Sequence, residues 1–82
     1  MIVVGVYVPS VDKDFDFYLD ENSKVSALIE EITELICKKE HSVLNGNRNQ
    51  FVMGSVDRQV NFQPQYTLKE LEVKNGEHLI LL

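Results

Sequence analysis

The order of apolar and polar residues along the chain predicts two strands near its start. Residues 2–8 are almost all apolar and rich in valine, and Pro9-Ser10 ends the run. That composition favours a strand. Residues 14–19 alternate between apolar and polar side chains, which is the period of a half-buried strand. The short segment between the two runs suits a hairpin loop, so the pattern predicts an N-terminal β-hairpin.

A helix is predicted over residues 24–40, because apolar side chains recur there with the spacing of one helical face. The predicted N-cap is Ser23. The apolar stripe consists of Val25, Leu28, Ile29, Ile32, Leu35 and Ile36. The acidic residues Glu30, Glu31 and Glu34 lie outside this stripe, and we interpret them as a solvated helix face.

Shorter elements are predicted after the helix. Val43 and Leu44 are expected to tuck under the helix end, within a loop over residues 41–49. Gly54 is expected to end the third strand. The predicted elements that follow the loop are strands over 50–53 and 58–62, a tight helical turn over 67–73, a turn at 75–76 and a final strand over 78–82.

Together these elements predict an α+β fold in which a mixed sheet of four to five strands carries one helix across one face. The whole chain, residues 1–82, is expected to form a single domain. Alternation along the strands predicts which side chains face the helix: Ile2, Val4, Val6, Val8, Phe15, Phe17, Leu19, Phe51, Met53, Leu79 and Leu81.

Two segments carry a resemblance to known families. Residues 67–73, Thr-Leu-Lys-Glu-Leu-Glu-Val, resemble the ubiquitin pattern before the last strand, and residues 73–82 resemble the ending of the bacterial YukD/EsaB family. The ubiquitin-like resemblance implies a β-grasp fold with the strand order 2-1-5-3-4. The YukD/EsaB resemblance implies a cytoplasmic accessory protein of type VII (ESX-type) secretion in Gram-positive bacteria, with components of the secretion machine as partners.

The sheet face turned away from the helix is the predicted binding surface. Val52 falls where the resemblance places the central isoleucine of the ubiquitin recognition patch. Exposed apolar side chains in one patch favour a protein interface, and self-association through the same face is a further expectation. The alternative interpretation is that valine, isoleucine and tyrosine occupy these positions only because they are good strand formers. The predicted protein-binding residues are Val3, Tyr7, Tyr18, Val52, Ile80 and Leu82.

Charge and composition argue against several other partners and compartments. The net charge is −5, and the basic residues are scattered, so neither nucleic acid nor an anionic membrane surface is an expected partner. The single cysteine, Cys37, cannot form an internal disulfide. The chain shows no secretion signal and no apolar run long enough to insert into a membrane. A cytoplasmic location is therefore expected.

No residue pattern predicts catalysis, a metal or a cofactor. Residues 12–16 have the D-x-D-x-D spacing of a calcium loop, but they lack its glycine and its final glutamate and are interpreted as a solvated hairpin. His41 and His78 are far apart in sequence, and Cys37 belongs to no catalytic pattern. The expected function is therefore protein binding, without enzymatic activity.

Two alternatives to a secretion role remain. A ubiquitin-like adaptor, or a small subunit of an unrelated complex, would share the same composition and elements. A conjugated modifier or sulfur carrier is disfavoured, because the sequence stops at Leu81-Leu82 without the Gly-Gly tail that such proteins use.

Overall fold

A computed structural model describes residues 1–40 and 51–82 of the chain. Predictions for residues 41–49, including those for Val43 and Leu44, lie outside the described residues, as does His41. The described elements are strands β1 (Ile2–Val8) and β2 (Lys13–Leu19), helix α1 (Val25–Glu40), and strands β3 (Met53–Ser55), β4 (Val60–Asn61) and β5 (His78–Leu81).

The five described strands form one mixed sheet in the order β2-β1-β5-β3-β4. Strands β1 and β5 are parallel, whereas the other neighbouring pairs are antiparallel. Parallel pairing of the first and last strands requires a crossover connection, and α1 lies within it. The predicted β-grasp fold and its strand order are confirmed.

The N-terminal hairpin follows the predicted alternation. Ile2 pairs with Leu19 and Val8 pairs with Lys13, so β2 begins one residue earlier than predicted. The turn between the strands includes Asp12, whose φ is 51°. An aspartate tolerates this left-handed conformation better than most residues because its short polar side chain can bond locally.

The helix begins at Val25, and its N-cap is not Ser23. The carbonyl of Lys24 accepts the first helical hydrogen bond, from the Leu28 amide at 3.1 Å. An N-cap residue is defined by that bond, so Lys24 holds the position. The prediction of Ser23 was wrong because it rested only on the preference of serine side chains for the N-cap position.

A neighbouring loop caps the first turn of α1 through its backbone. The Val25 amide donates to the Tyr66 carbonyl at 2.8 Å, and the Ser26 amide donates to the Pro64 carbonyl at 3.1 Å. The first amides of a helix have no partner within it and must find one elsewhere. Carbonyls from a distant segment supply that partner here, which removes the need for a capping side chain.

The core lies between α1 and the inner face of the sheet. Ile2, Phe17 and Phe51 are half-buried and pack against this core. Each large apolar side chain that is fully buried in this core stabilises the fold by about 1.5–3 kcal/mol before chain entropy is subtracted. The buried apolar side chains of the core are Val4, Val6, Val8, Phe15, Leu19, Val25, Leu28, Ile29, Ile32, Ile36, Met53, Phe62, Leu68, Val73, Leu79 and Leu81.

Leu35 departs from the predicted apolar stripe of the helix. Its side chain is 44% exposed, whereas Ile32 and Ile36 are buried. Leu35 lies at the edge of the stripe, where the sheet no longer covers the helix, and it lines a groove beside β2.

Strand β3 covers Met53–Ser55, so it starts and ends later than predicted. Gly54, which was predicted to end the strand, lies inside it. A Cβ atom at Gly54 would stand 2.6 Å from the carbonyl oxygen of Val60. Real Cβ atoms essentially never come so close to backbone, so glycine is the residue that lets β4 approach at this point. Strand β4 is also shorter than predicted. Val60 is exposed at the sheet edge, while Phe62 is buried.

The predicted turns near the C-terminus are confirmed. Thr67 and Glu70 exchange hydrogen bonds between side chain and backbone, each at 3.0 Å, in the manner of a capping box. Gly76 has a φ of 83°, which glycine adopts without strain. The Gly76 amide donates to the Val3 carbonyl, and the Val3 amide donates to Oδ1 of Asn75, each at 2.8 Å. These two bonds fix the turn to β1.

Candidate protein-binding face of the sheet

The strands divide the sheet into an inner face, which meets α1, and an outer face, which is turned away from it. Val3 lies opposite Tyr18 in the hairpin register, and Tyr7 lies beside Ile80 across the parallel pair. Their chain neighbours Val4, Val6 and Leu79 are buried in the core. Because directly paired residues point to the same side, all four predicted residues belong to the outer face.

Val52 and Leu82 extend the outer face beyond the assigned ends of their strands. The Val52 amide donates to the Leu82 carbonyl at 2.8 Å, and the Leu82 amide returns the bond to Val52 at 2.8 Å. This exchange continues the antiparallel register of Met53 with Leu81 by one residue pair. Val52 is 39% exposed, and Leu82 is exposed as well.

The six predicted residues form two groups rather than one patch. Val3 and Tyr18 are separated from the others by a row that contains Asp16, Gly5 and His78. Tyr18 is 72% exposed and stands at the β2 side of the sheet. The prediction that all six share the outer face therefore agrees with the register, but Val3 and Tyr18 form a satellite.

Val56 belongs to the second group, and sequence reasoning missed it. Its amide donates to the His78 carbonyl at 2.9 Å, and its side chain is 49% exposed. The sequence-based prediction ended the third strand at Gly54 and therefore left Val56 outside it. Alternation continued through residues 52, 54 and 56 would have placed Val56 on the outer face. We call Tyr7, Val52, Val56, Ile80 and Leu82 the outer-face cluster.

A shallow groove of about 340 Å³ opens within the outer-face cluster. Gly5 contributes no side chain to it, while Tyr7, Val56 and Ile80 form its apolar part. A Cβ atom at Gly5 would meet the His78 ring at 3.6 Å, which is ordinary van der Waals contact. Gly5 therefore helps to keep the groove open, although a Cβ atom would fit there at ordinary contact distance.

The position of the Tyr7 ring is fixed by the hairpin turn. Its hydroxyl donates a hydrogen bond to Oδ1 of Asp12 at 2.7 Å. This bond to a carboxylate raises the pKa of Tyr7, and the negative charges of Asp12 and Asp14 add to the effect. The hydrogen bond to Asp12 therefore holds the aromatic ring of Tyr7 in position beside the groove.

His78 and Asp14 line the groove, and Asp57, which bonds to His78, completes its polar rim. Asp57 accepts a hydrogen bond from the His78 amide at 3.1 Å, and its other oxygen lies 3.4 Å from Nδ1 of the His78 ring. The backbone bond is the main reason that the pKa of Asp57 is lowered. Both side chains are exposed, so the rim carries charge next to apolar groups.

A second polar network holds the start of β5 in place. The Glu77 carboxylate accepts from Ser55 Oγ at 2.7 Å and from Arg58 Nε at 3.0 Å. Arg58 also donates to the Leu71 carbonyl at 2.8 Å. Burial by itself would raise the pKa of Glu77, but these hydrogen bonds and the bond from the Lys74 amide outweigh it and lower the pKa.

The residues weighed for other chemistry do not form a site in the described part of the chain. Asp12 is engaged by Tyr7, and Cys37 is half-buried against the core. Residues 1–40 and 51–82 contain no group of three His, Cys, Asp or Glu side chains placed to hold a metal ion. No helix in these ranges is long and apolar enough to cross a bilayer.

Comparison with known proteins gives likenesses in structure only. No family model matches the chain, and no curated protein matches it either. The EccD5 ubiquitin-like domain from Mycobacterium xenopi aligns with 99% of this chain and 91% of its own, at a TM-score of 0.77 and 20% identity.

Two further solved structures come from other kingdoms. A ubiquitin-like domain from Arabidopsis thaliana aligns over 99% of this chain and 74% of its own, at a TM-score of 0.72 and 18% identity. Caldiarchaeum subterraneum ubiquitin aligns over 98% of this chain and 89% of its own, at a TM-score of 0.70 and 12% identity. At such identities the likeness shows the fold alone.

The register, the strand order and these likenesses define the class of fold. The chain has the ubiquitin-like β-grasp fold. Its structural neighbours are ubiquitin-like domains from a bacterium, a plant and an archaeon.

Proposed function

We propose that this chain is a non-catalytic protein-interaction module that binds its partner through the outer-face cluster. The observation that carries the proposal is the continuity of apolar surface from Tyr7 across Ile80 to Val52 and Leu82, with Val56 beside it. A contiguous exposed apolar patch with a polar rim is typical of a protein interface.

The geometry of the cluster suits burial against a flat or slightly convex partner. Gly5 leaves a low point on the outer face, and Tyr7 stands beside it with its ring fixed by Asp12. Positioned tyrosines give contact area at a small cost in side-chain entropy, and they are favoured in binding hot spots. Asp57 and His78 on the rim would set orientation rather than supply most of the affinity.

For the biological setting we propose a cytoplasmic accessory role in type VII secretion, with a component of that machine as the partner. The support is the resemblance of residues 73–82 to the YukD/EsaB ending. Those residues form the Asn75-Gly76 turn and β5, and β5 supplies Ile80 at the centre of the outer-face cluster. The likeness to the mycobacterial EccD5 domain adds a bacterial protein of the same fold.

A ubiquitin-like adaptor of an unrelated complex remains the second candidate. The observation that favours it is the equally complete alignment with the plant domain, which extends over 99% of this chain. The same outer face would serve such an adaptor, so the two candidates differ in the partner and not in the binding surface.

Affinity capture from the native cell tests the proposal. Wild-type protein and the Val52→Asp variant are each used as bait, and proteins are compared by mass spectrometry. A membrane-anchored or cytosolic secretion component that is captured by wild type and lost with Val52→Asp supports the secretion role. A face-dependent partner from an unrelated complex supports the adaptor. Identical capture by both baits contradicts the outer-face proposal.

A further inference from the structure

Strand β2 forms one edge of the sheet. It spans Lys13–Leu19 and pairs with β1 along its whole length, while no strand of the described residues pairs with its other side. An edge strand presents a row of backbone donors and acceptors that can pair with an added strand. This edge is distinct from the outer-face cluster, which lies across β1, β5 and β3.

An apolar groove runs beside this edge, between β2 and the C-terminal half of α1. It has a volume of about 400 Å³. Its apolar lining is Phe15, Phe17, Leu35 and Ile36, and Asp16, Lys38 and Lys39 complete it. The two phenylalanine rings lie 6.0 Å apart. Leu35 is the residue of the helix stripe that the sheet leaves exposed, so its apolar surface is available to a chain laid along β2.

The two sides of the β2 edge carry opposite charges. On the outer face, Asp14 and Asp16 are exposed, and neither has an ion-pair partner in the described part of the chain. On the inner face, Lys38 and Lys39 border the groove, and Nζ of Lys39 lies 5.3 Å from the Phe15 ring centroid. An added strand should therefore carry its basic side chains on the outer face, opposite Asp14 and Asp16.

We propose that β2 binds an extended peptide segment of a partner by strand addition, and that this segment alternates apolar and basic residues. Its apolar side chains enter the groove against Phe15, Phe17 and Leu35, and its basic side chains stand opposite Asp14 and Asp16. Main-chain hydrogen bonds give affinity in this mode, and alternate side chains give specificity. Opposite charges directly across two strands are stabilising.

A second copy of this chain is a poorer occupant of the edge. Pairing β2 with β2 would bring the outer-face aspartates of both copies together, and like charges on facing strands are destabilising. Acidic side chains on an edge strand are a known protection against self-pairing. The charges therefore select a basic partner segment while they oppose a homodimer at this site.

Peptide titration followed by NMR tests the proposal. The probe is a capped peptide of alternating valine and lysine, and the comparison peptide replaces each lysine with glutamate. The valine–lysine peptide is expected to shift the amide signals of residues 13–19. Asp16→Lys should weaken its binding by about five-fold or more and favour the valine–glutamate peptide. Glu30→Lys makes the same charge change on the other flank of α1, and it should leave the affinity within about two-fold of wild type.

Two N-methylated forms of the valine–lysine peptide separate strand addition from simple charge attraction. One form carries methyl groups on the amides that face β2, and the other carries them on the amides that face solvent. Binding lost only for the first form supports strand addition. Three results would overturn the proposal. The two methylated forms bind equally, Asp16→Lys and Glu30→Lys weaken binding equally, or the wild-type protein forms a dimer through β2. The outer-face proposal would stand in each of these cases, because β2 contributes no residue to the outer-face cluster and Asp16 does not line its groove.

Discussion

Tyr7 and Ile80 lie side by side on the parallel strands β1 and β5, in the middle of the face that α1 leaves uncovered. This pairing joins the first strand of the chain to the last. Any partner that binds the outer-face cluster therefore contacts strands that come together only after the whole domain has folded. Binding should consequently depend on the intact fold and not on a linear segment.

Filling the groove tests whether its shape matters. Gly5→Val adds a good strand former, and its Cβ atom would stand 3.6 Å from the His78 ring, at ordinary contact distance. We expect unfolding stability equal to wild type or higher by up to about 1 kcal/mol, together with weaker partner binding. Urea denaturation and a pull-down of the captured partner measure the two effects. Full binding by a stable Gly5→Val protein would show that the groove is not used.

Gly54 should be far less tolerant than Gly5. Gly54→Ala would bring a methyl group within 2.6 Å of the Val60 carbonyl, and the β3–β4 pairing would have to shift. We expect a loss of about 1–3 kcal/mol in the free energy of unfolding. Gly5→Ala is the matched control and should be neutral. A Gly54→Ala protein as stable as Gly5→Ala would contradict the close approach of β4.

Leu28 and Leu35 should differ sharply when truncated, although both were predicted to face the core. Leu28 is fully buried, so Leu28→Ala should cost about 2–5 kcal/mol of unfolding free energy. Leu35 is 44% exposed, and Leu35→Ala should cost less than about 1 kcal/mol. Thermal and urea denaturation of the two variants provide the comparison. Equal losses would mean that Leu35 is covered in solution.

The network around Glu77 predicts loss of stability in acid. The folded-state pKa of Glu77 is lowered, so its contribution is fully present above the unfolded value of about 4.3 and is lost as the pH falls through the folded value. Glu77→Gln should therefore reduce stability at neutral pH and flatten its decline below about pH 5. Glu31→Gln, an exposed helix position, is the control. Parallel acid profiles for wild type and Glu77→Gln would argue against the network.

Alternation along the strands explains why much of the fold could be predicted from the sequence. Val4, Val6 and Leu79 are buried as predicted, because the period of a strand leaves little choice once one face is apolar. The same parity placed Val52 and Ile80 on the outer face. Their role in binding stays a prediction, since the geometry gives their position and not their partner.

The wrong predictions share a physical cause, which is contact between segments distant in sequence. Ser23 is displaced as N-cap because carbonyls near Tyr66 satisfy the helix amides. The strand through Gly54 continues because β4 packs tightly against it, and this extension places Val56 on the outer face. Local pattern carries no information about such contacts, so the backbone capping of α1 and the extension of β3 past Gly54 became visible only in the folded chain.

The affinity of the captured partner for two aspartate variants tests the outer-face proposal most directly. Val52 and Val60 have similar exposure, 39% and 46%, but Val60 stands at the β4 edge outside the outer-face cluster. Calorimetric titration should show an affinity loss of about tenfold or more for Val52→Asp and a change within about two-fold for Val60→Asp. Equal affinities for both variants, or a greater loss with Val60→Asp, would contradict binding through the outer face.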